Sequence, residues 1–449
     1  MALIPPPFLR PHLARPVAIL GGGVSGQGAR ALVAALGGTS ATYDAQGTEF
    51  TAAAAAAHSL AVFSPGFAPD HPWLARARNR GGGCLGELDF ASLCWRGRIV
   101  AVTGTNGKTT LTEFLAHALA GAGWDAFATG NIGRAFSGAV AAAAGGGPDT
   151  IAVCEVSSFQ AETLTRFHAE AALWTNFAED HLERHRGLEG YFKAKARVAA
   201  VSDAVFAGSS VRAFADSSKV GRLVPKTHVG LEPNRRVEDN SPHLQDVVWV
   251  NSENQPADPR LAGTAFADYP QRENFLLASA WWRSAGLEPG ALYAAARTFR
   301  AGRHRLARVA EIDGVTFWND SKATNFHAVE AALSRFDLPV VLIAGGRAKG
   351  GDVAGFVRRI APRVRHACVM GETSGELAEH FAAAGVPHTV CSTLNDAVRR
   401  AAAEAAPGEH VLLSPGFASF DMFKSYEDRG DQFESALNFK TAPSFSSLP

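Results

Sequence analysis

A shortened phosphate-binding loop constrains the fold of this chain more than any other feature. The stretch AVTGTNGKTTLTEF (Ala101–Phe114) contains Gly-Lys-Thr, but Val102 stands where the pattern G-x-x-x-x-G-K-[ST] places its first glycine. A short apolar run precedes the loop, and apolar residues at helical spacing follow it. The sequence therefore predicts a buried strand, a turn over Gly104–Thr109 and a helix whose positive end faces an anion.

Two side chains suit this loop to a nucleotide. Lys108 adds a mobile positive charge beside the glycines of the turn, and Thr109 can place its hydroxyl on a magnesium ion. The competing interpretation is a glycine-rich turn with a surface lysine. The order of strand, loop, Lys-Thr-Thr and helix favours the phosphate site.

Strands and helices alternate along the whole chain, which predicts an α/β protein with parallel sheets. Its 449 residues exceed one ordinary core and suggest three domains, which we place at residues 1–97, 98–300 and 301–449. We expect the first and last to be Rossmann-like and the middle one to be a P-loop ATPase-type domain with a mostly parallel sheet. From about 205 to 265 the pattern weakens, and we expect short strands and loops there.

Composition argues against several classes of function. Lysine plus arginine and aspartate plus glutamate both number 43, so no global basic field would attract nucleic acid. The five cysteines are scattered without a C-x-x-C pair, which is typical of reduced, mostly buried thiols in a cytoplasmic protein. No run is long and apolar enough to suggest membrane insertion, and the six alanines of TAAAAAAHSL fit a helix better.

The amino-terminal unit has the layout of a dinucleotide-binding fold. The segment PVAILGGGVSGQGARALVAALGG predicts an apolar strand, a glycine-rich loop and a helix, and a later strand ends at Asp44. In such folds the loop holds a pyrophosphate, and the acidic residue takes a donor group of the nucleotide. A further strand end, Ser64–Gly66, adds to the same edge. The alternative is a glycine-rich turn that only allows tight helix packing.

Further segments carry residues that could do chemistry. Glu155 follows an apolar run and is either a glutamate satisfied by a lysine or a magnesium ligand beside the phosphate loop. The segment EDHLERH (Glu179–His185) suits a solvated helix start as well as a metal site. Lys195 has the position of a surface lysine on an amphipathic helix. The lysine and threonine of NDSKAT (Asn319–Thr324) suggest an anion at a strand end.

Taken in order, these pieces resemble the Mur ligases, ATP-dependent enzymes that add amino acids to UDP-N-acetylmuramic acid in peptidoglycan synthesis. The family carries the shortened loop as TG-[ST]-NGK-[ST]-T, which matches Thr103–Thr110, so Val102 is normal here. GNIG, E-[LV]-SSFQ, EDH, NDSKATN and SP-x-x-AS-x-D-x-F-K-x-[FY]-x-x-RG follow in family order over nearly the whole chain. The SSFQ, NDSKATN and SP-x-x-AS-x-D segments are typical of the glutamate-adding branch.

The resemblance implies an ATP-dependent amide ligase that adds D-glutamate to UDP-N-acetylmuramoyl-L-alanine through an acyl phosphate. It implies ATP and two Mg²⁺ sites, with small-molecule substrates as the partners, and we expect a cytoplasmic monomer. Alternatives are a related ligase that uses L-glutamate or another acceptor, a non-catalytic UDP-sugar-binding regulator, and a plain P-loop ATPase or kinase.

Carried over residue by residue, the resemblance also predicts the binding sites. The UDP-sugar would be held by residues of the first domain and of the GNIG and SSFQ segments, namely Val24, Ser25, Asp44, Ser64, Gly66, Asn131, Ser158 and Gln160. ATP would be held by the phosphate loop and by three residues beyond it, namely Gly104, Thr105, Asn106, Gly107, Lys108, Thr109, Thr110, Asn274, Arg305 and Asp320.

The resemblance further predicts the glutamate pocket and the catalytic groups. The incoming glutamate would be surrounded by Thr324, Lys349, Ser419 and Tyr426, the last standing where the family often has Phe. The catalytic residues would be Lys108, His181, Lys195 and Lys322. The metal ligands would be Thr109, Glu155, His181 and Lys195. In the family this last lysine is carbamylated, which turns a cation that cannot bind a metal into an oxygen ligand.

Overall fold

The computed structural model describes residues 3–79, 83–218, 247–251 and 255–437. These residues form two compact units. The first holds the chain up to Phe177 together with Glu189–Phe299, and the second holds Ala178–Leu188 and the chain from Arg300 onward. Parallel sheets covered by helices occur in both units, which confirms the predicted fold class. The domain boundaries after residues 97 and 300 stay predictions.

A four-stranded parallel sheet opens the first unit. Its order is β2-β1-β3-β4, with strands β1 (Val17–Leu20), β2 (Ser40–Tyr43), β3 (Leu60–Phe63) and β4 (Gly83–Gly86). The accompanying helices are α1 (Val24–Ala35), α2 (Ala52–Ala57), α3 (Pro72–Arg78) and α4 (Glu87–Ser92). Every residue of β1 and β3 is buried, as expected for strands covered on both faces. Helix α2 confirms the helix predicted for the alanine run.

A second, six-stranded parallel sheet completes the first unit, in the order β10-β9-β8-β5-β7-β6. Its strands are β5 (Arg98–Thr103), β6 (Asp125–Gly130), β7 (Thr150–Glu155), β8 (Ala169–Trp174), β9 (Ser202–Gly208) and β10 (Val247–Val250). The helices of this part of the chain are α5 (Lys108–Gly121), α6 (Phe136–Ala142), α7 (Ser158–Ala161), α8 (Leu182–His185), α9 (Leu188–Ala200), α10 (Ser209–Ser217), α11 (Gln271–Ser284) and α12 (Pro289–Thr298). Helix α8 belongs to the second unit.

Helix α10 corrects one prediction, because it lies where short strands and loops were expected. Val211 and Ala215 are buried one turn apart, a helical pattern too short to stand out among polar neighbours. Much of the rest of that segment, residues 219–246 and 252–254, lies outside the described residues.

The central sheet is buried on both faces because alternate residues of β5 enter different cores. Ile99 and Ala101 pack into a core that also contains residues of α1 and α6. Val100 and Val102 pack on the other face with residues of α5, α11 and α12. Because its central apolar residues are buried on both faces, β5 lies in the middle of the sheet, and its carboxyl end leads into the phosphate loop.

The second unit contains a six-stranded sheet in the order β11-β12-β16-β13-β14-β15. Its strands are β11 (Ala307–Ile312), β12 (Val315–Asn319), β13 (Val340–Gly345), β14 (Val364–Met370), β15 (His388–Val390) and β16 (His410–Leu413). Its longer helices are α13 (Phe326–Leu333), α14 (Val353–Ile360), α15 (Ser374–Ala383), α16 (Leu394–Glu404) and α17 (Tyr426–Ala436). Short 3₁₀ turns lie at Pro259–Leu261 in the first unit and Ala361–Arg363 in the second.

One strand pair departs from the predicted parallel pattern. Strands β11 and β12 are antiparallel and joined by Asp313 and Gly314, both with positive φ (51° and 77°). An Asp-Gly pair with two positive φ angles is the preferred two-residue hairpin connection. The sequence contains that signal, so the hairpin could have been predicted from it.

Two further predictions concern burial and membranes. Four of the five cysteines are buried and Cys84 is half-buried, which confirms the expected burial of the thiols. Within the described ranges, no helix combines the length and apolar content needed to cross a bilayer.

Candidate active site

The predicted phosphate loop connects β5 to α5 and depends on two glycines with positive φ. Gly104 has φ +141° and Gly107 has φ +79°. A Cβ atom on Gly104 would lie 1.9 Å from the Thr175 hydroxyl, and one on Gly107 would lie 2.8 Å from the amide nitrogen of Asn274. Only glycine fits these positions, so the backbone of the turn runs tightly under the start of helix α5.

The carboxyl end of the neighbouring strand β8 fixes the loop. The side-chain oxygen of Asn176 accepts a hydrogen bond from the Asn106 amide at 2.9 Å, and its nitrogen donates to the Asn106 carbonyl at 3.1 Å. The Thr175 hydroxyl donates to the same carbonyl at 2.6 Å. Sequence reasoning missed Asn176. Its position directly after a strand, beside the strand that carries the loop, was the available signal.

The charged and hydroxyl groups predicted to meet ATP lie together in this unit. The Lys108 ammonium donates to the Thr105 carbonyl at 2.8 Å. The Thr109 hydroxyl donates to Glu155 Oε2 at 2.7 Å, and Asn131 donates to Glu155 Oε1 at 3.0 Å. Glu155 is only 2% exposed. Neutral side chains therefore donate to both of its oxygens, and its role as a magnesium ligand stays a prediction.

Lys195 is buried, which contradicts the surface position suggested by the helical pattern alone. Its side chain is 1% exposed and donates to the Gly104 carbonyl at 2.6 Å. The ammonium also lies 4.7 Å from the ring centre of Tyr191, whose hydroxyl donates to Thr105 at 3.3 Å. The face of helix α9 that carries Tyr191 and Lys195 therefore contacts the phosphate loop. The spacing of apolar residues in the sequence does not predict which neighbour that face contacts.

The oxygen atoms of Thr109 and Glu155 are the kind of ligand that Mg²⁺ prefers. In the part of the chain that the structure describes, no group of three or more His, Cys, Asp or Glu side chains could hold a metal. A magnesium ion beside the phosphate loop would therefore need further ligands, and bound phosphates commonly supply them.

Predicted nucleotide-sugar residues lie at the carboxyl ends of β1, β2 and β3. Asp44 accepts hydrogen bonds from the amides of Gly22 at 2.7 Å and Gln46 at 3.2 Å, and these bonds, that from Gly22 above all, lower the pKa of its carboxyl. The buried Ser64 hydroxyl has no hydrogen-bond partner among the described residues. At the start of α1, Val24 is 62% exposed.

The remaining residues of the predicted nucleotide-sugar site differ from one another in burial and contacts. Ser25 is half-buried in α1, and Gly66 is exposed after β3. Ser158 is buried in α7. The side-chain oxygen of Gln160 accepts hydrogen bonds from the amide and hydroxyl of Ser157, so it caps α7 from within. Gln160 also lines a small cavity together with Pro65.

In the second unit, two of the predicted glutamate-binding residues meet a carboxylate. The Lys349 ammonium lies 3.4 Å from the Thr324 hydroxyl and 3.5 Å from Asp180 Oδ1. Asn325 donates to Asp180 Oδ2 at 3.2 Å. These residues line a cavity of about 20 Å³. The EDHLERH segment therefore contributes Asp180 to this cluster, a contact that sequence reasoning did not assign.

The other two predicted glutamate-binding residues differ in burial, because Ser419 is buried and Tyr426 is half-buried. The Lys322 ammonium lies 3.7 Å from the ring centre of Tyr426, and Ser419 is buried. Arg429, also fully buried, donates to the hydroxyl and carbonyl of Ser321 and to the Phe417 carbonyl. Desolvation lowers the pKa of this guanidinium to about 10. Arg429 was present in the RG motif, but no role was assigned to it.

Asp320 is enclosed within the second unit. It accepts hydrogen bonds from the Leu306 amide at 3.0 Å and the Ser414 hydroxyl at 2.8 Å. Burial raises the pKa of its carboxyl to about 7. His304 and Leu306, which flank the predicted ATP ligand Arg305, both have positive φ (63° and 49°), so the backbone on each side of Arg305 has a restricted conformation.

His181 lies in the second unit as the residue that precedes α8. Its φ is +52°, and its imidazole Nε2 is 3.6 Å from Asp180 Oδ2. Its backbone amide donates to the other oxygen of the same carboxylate at 3.0 Å. Asp180 therefore contacts both the imidazole and Lys349.

Two family models match the chain in the regions just described. The Mur ligase middle domain matches residues 102–207, and the Mur ligase, glutamate ligase domain matches residues 304–417. The first match includes the phosphate loop, Glu155 and Lys195. The second includes Asp320, Thr324 and Lys349.

Similar proteins and structures agree with these matches. A protein from Pelotomaculum thermopropionicum named UDP-N-acetylmuramoylalanine–D-glutamate ligase is 36% identical over 84% of this chain and 82% of its own length. A protein of the same name from Chromobacterium violaceum is 36% identical over 86% of this chain and 84% of its own. The structure of UDP-N-acetylmuramate–alanine ligase from Thermotoga maritima has a TM-score of 0.57 at 14% identity, covering 95% of this chain and all of that one. MurF ligase from the same organism, in complex with ADP, has a TM-score of 0.53 at 15% identity, covering 85% of this chain and 96% of that one.

Proposed function

The chain belongs to the Mur ligase family, and on that premise we propose how its residues perform the ATP-dependent joining of D-glutamate to UDP-N-acetylmuramoyl-L-alanine. This reaction belongs to the synthesis of peptidoglycan precursors. The single observation that supports the assignment best is the phosphate loop with a buried carboxylate beside it, where Thr109 lies 2.7 Å from Glu155. The candidate phosphate-binding loop and a candidate magnesium ligand thus lie next to each other.

The first step joins the substrate carboxylate to phosphate. An oxygen of the alanyl carboxylate attacks the γ-phosphorus of ATP, the bond to the bridging oxygen breaks, and ADP leaves. Because two anions must approach each other, the main task of the protein is to stabilise negative charge. Lys108 performs this task when its ammonium exchanges the Thr105 carbonyl, now 2.8 Å away, for a phosphate oxygen. The backbone amides at the start of α5 add to the same field.

The second step forms the amide bond. The amine of glutamate attacks the acyl carbon, inorganic phosphate leaves, and the amine loses a proton. We assign Lys349 and Thr324 to the carboxylates of glutamate, because they meet in one cluster at 3.4 Å. Lys322 and Tyr426, which contact each other, complete the pocket with Ser419. Water must be excluded at this stage, since it would hydrolyse the acyl phosphate.

Magnesium fits the donor set beside the phosphate loop. Thr109 and Glu155 would hold it, and Asn131 would orient the Glu155 carboxylate from the other oxygen. When bound, the ion supplies charge neutralisation at the phosphates. A second magnesium ion with His181 and Lys195 as ligands stays a prediction.

We propose further that Lys195 is carbamylated. The modification replaces an ammonium by a carbamate, which adds two oxygens and keeps one N–H that can still donate to the Gly104 carbonyl. Protein labelled with ¹³C-bicarbonate should give a carbamate carbon signal in NMR that is absent from Lys195→Arg. The same signal in both proteins would contradict the assignment.

Phosphate release tests the function directly. Protein, ATP and Mg²⁺ are incubated with UDP-N-acetylmuramoyl-L-alanine and with D-glutamate, L-glutamate or no amino acid. We expect release that depends on D-glutamate and a product heavier by one glutamyl unit. Phosphate release that requires a different acceptor would contradict the function. The absence of phosphate release under all conditions would also contradict it.

We also propose that the enzyme works as a monomer in the cytoplasm. Light scattering at working concentration should give the mass of one chain, 47.2 kDa. A dimer mass that persists on dilution would contradict the first part. Fractionation of the source cells checks the second.

A further inference from the structure

A buried carboxyl group in the first unit, that of Glu87, has a hydrogen-bond partner for only one of its two oxygens among the described residues. Glu87, the first residue of α4, is 3% exposed. Its Oε1 accepts two hydrogen bonds, from the amide and the hydroxyl of Ser137, each 2.6 Å long. Its Oε2 is also buried but has no hydrogen-bond partner among the described residues.

The neighbouring carboxylate offers a contrast. Asp89, two residues further on, is equally buried, yet both of its oxygens accept hydrogen bonds from the segment Thr165–Phe167. A buried polar atom without a partner is costly, and in native proteins it usually has a water or a ligand as its partner. Asp89 is therefore a structural anchor, whereas Oε2 of Glu87 has an unfilled hydrogen-bonding position.

The space beside Glu87 limits the size of that group. Glu87 lines a cavity of about 10 Å³ together with Pro65 and Gln160 and with the apolar side chains of Phe63 and Leu164. A volume of about 10–15 Å³ by this measure admits one water-sized group. Pro65 lies between the predicted nucleotide-sugar residues Ser64 and Gly66, and Gln160 is predicted to face the muramoyl group. The cavity thus lies beside residues predicted to hold that substrate, and it has room for one polar atom but not for a whole sugar.

The hydrogen bonds also decide where a proton on Glu87 would be. Burial raises the pKa of this carboxyl, and the two hydrogen bonds from Ser137 offset that effect only in part. Since Oε1 already accepts two hydrogen bonds, the proton of the neutral acid lies on Oε2. The group that faces an unfilled hydrogen-bonding position is then a donor.

We propose that Glu87 is a further substrate-binding residue, whose Oε2 donates a hydrogen bond to one carbonyl or hydroxyl oxygen of the nucleotide-sugar. This inference rests on the proposed function, which supplies the substrate. Ser137 is the positioning residue, because its two bonds to Oε1 set the direction of Oε2. A single bound water in the same cavity is the competing occupant.

Calorimetry on four proteins tests the contact. The dissociation constants of UDP-N-acetylmuramoyl-L-alanine and of ADP are measured for wild type, Glu87→Gln, Glu87→Met and Ser137→Ala, with the melting temperature of each. Glu87→Gln keeps a donor at the Oε2 position, whereas Glu87→Met removes it at similar volume. We expect Glu87→Met to bind the nucleotide-sugar about tenfold more weakly, a typical loss for one hydrogen bond. Glu87→Gln should stay within about threefold of wild type. Ser137→Ala keeps the amide bond to Oε1 but loses the hydroxyl bond, so it should bind the nucleotide-sugar about threefold more weakly. ADP binding should not change in any variant.

The other outcomes overturn the inference in distinguishable ways. Equal nucleotide-sugar binding by wild type and Glu87→Met would assign the cavity to water. A Glu87→Gln variant as weak as Glu87→Met would mean that Oε2 accepts rather than donates. If Glu87→Met fails to fold, Glu87→Asp gives the second measurement, because the shortened acid cannot reach the same point and should also bind weakly; normal binding by it overturns the contact. Wild type that does not bind the nucleotide-sugar would instead contradict the proposed function, and the inference with it.

Discussion

The two regions proposed to bind anions, the phosphate loop and the cluster around Lys349, are built in different ways. Around the phosphate loop, buried partners hold each group with short hydrogen bonds, such as 2.6 Å from Lys195 to Gly104 and 2.9 Å from the Asn106 amide to Asn176. In the second unit, Lys349 is 24% exposed, and its contacts to Thr324 and Asp180 are 3.4 and 3.5 Å long. The loop is thus fixed before ligand binding, whereas the Lys349 cluster can rearrange.

The difference matches the ligands proposed for the two regions, ATP for the loop and glutamate for the Lys349 cluster. A nucleotide triphosphate needs donors held in place while charge develops, because preorganised dipoles lose nothing to reorientation. Glutamate is small and carries two carboxylates, so its pocket must exchange existing ion pairs for new ones. The contact between Lys349 and Asp180 is 3.5 Å long, and the Lys349 side chain is 24% exposed. An incoming carboxylate can therefore approach the ammonium of Lys349 and compete with Asp180 for it.

The largest effect is expected at the phosphate loop. Lys108→Ala should lower kcat by about a thousandfold or more, because it removes the ammonium proposed to stabilise negative charge on the transferred phosphate. Phosphate release measures the rate, and circular dichroism checks that the melting temperature stays near that of wild type. The matched control is Lys193→Ala, since Lys193 is an exposed lysine whose ammonium is 4.0 Å from Glu189. A normal rate for Lys108→Ala would remove the distinction between the two regions.

A smaller and more selective effect is expected at Lys349. Lys349→Met should raise the KM for glutamate by about ten- to a hundredfold, the usual loss for a charge-assisted contact, and leave the KM for ATP unchanged. Steady-state kinetics with each substrate varied in turn makes the test. Arg347→Met is the control, because Arg347 contacts Ala418 through its backbone and its side chain is exposed. Equal losses in the two variants would mean that charge near the pocket matters and the position of Lys349 does not.

The next smaller effect is expected from a variant that loosens the phosphate loop before ATP binds. Asn176→Ala removes two hydrogen bonds from Asn106 and leaves the Thr175 bond in place. The loop should then lose part of its fixed geometry, and the KM for ATP should rise about tenfold. The KM for glutamate should not change. An unchanged KM for ATP would show that the loop holds its shape without Asn176, so the contrast with the Lys349 cluster would weaken.

The sequence predicted the fold and the chemistry of the loop because both depend on local pattern. The apolar run before Gly104 and the helical spacing after it depend only on neighbouring residues, and β5 and α5 occur where that pattern placed them. The Mur ligase resemblance rested on motifs and is confirmed by relatives that are 36% identical over most of the chain. The residue roles stay predictions, since they depend on bound substrates.

What the sequence could not predict depends on contacts between distant residues. Asn176 reaches the loop only because β8 pairs with β5, and nothing in a single sequence fixes that pairing. Lys195 has the spacing of a surface residue, and its burial follows from how α9 packs. The unpartnered oxygen of Glu87 is likewise a property of three-dimensional packing. Of these three residues, only Lys195 was named from the sequence, and only the family resemblance gave it a role.

The last test of the comparison measures stability and not the reaction, and it concerns Asp320. This carboxyl is predicted to contact ATP, yet within the second unit its oxygens already accept hydrogen bonds from Leu306 and Ser414. Its pKa is raised from the usual 3.8 to about 7 by burial. The folded protein therefore binds this proton more tightly than the unfolded chain, and the contribution of Asp320 to stability falls as pH rises from about 4 to about 7.

This proton linkage makes the free energy of unfolding depend measurably on pH. Between about pH 5 and pH 8 the free energy of unfolding should lose about 3 kcal/mol through this group, at about 1.4 kcal/mol per pKa unit. Asp320→Asn cannot ionise, so denaturant unfolding curves of the variant should lack that component and the two proteins should differ most at high pH. Parallel pH profiles would mean that Asp320 is ionised throughout, as an ATP-facing carboxylate would be. If the free energy of unfolding falls with pH in wild type but not in Asp320→Asn, Asp320 is neutral at low pH in the folded protein. It then belongs to the buried groups that hold the second unit together, in contrast to the adaptable cluster around Lys349.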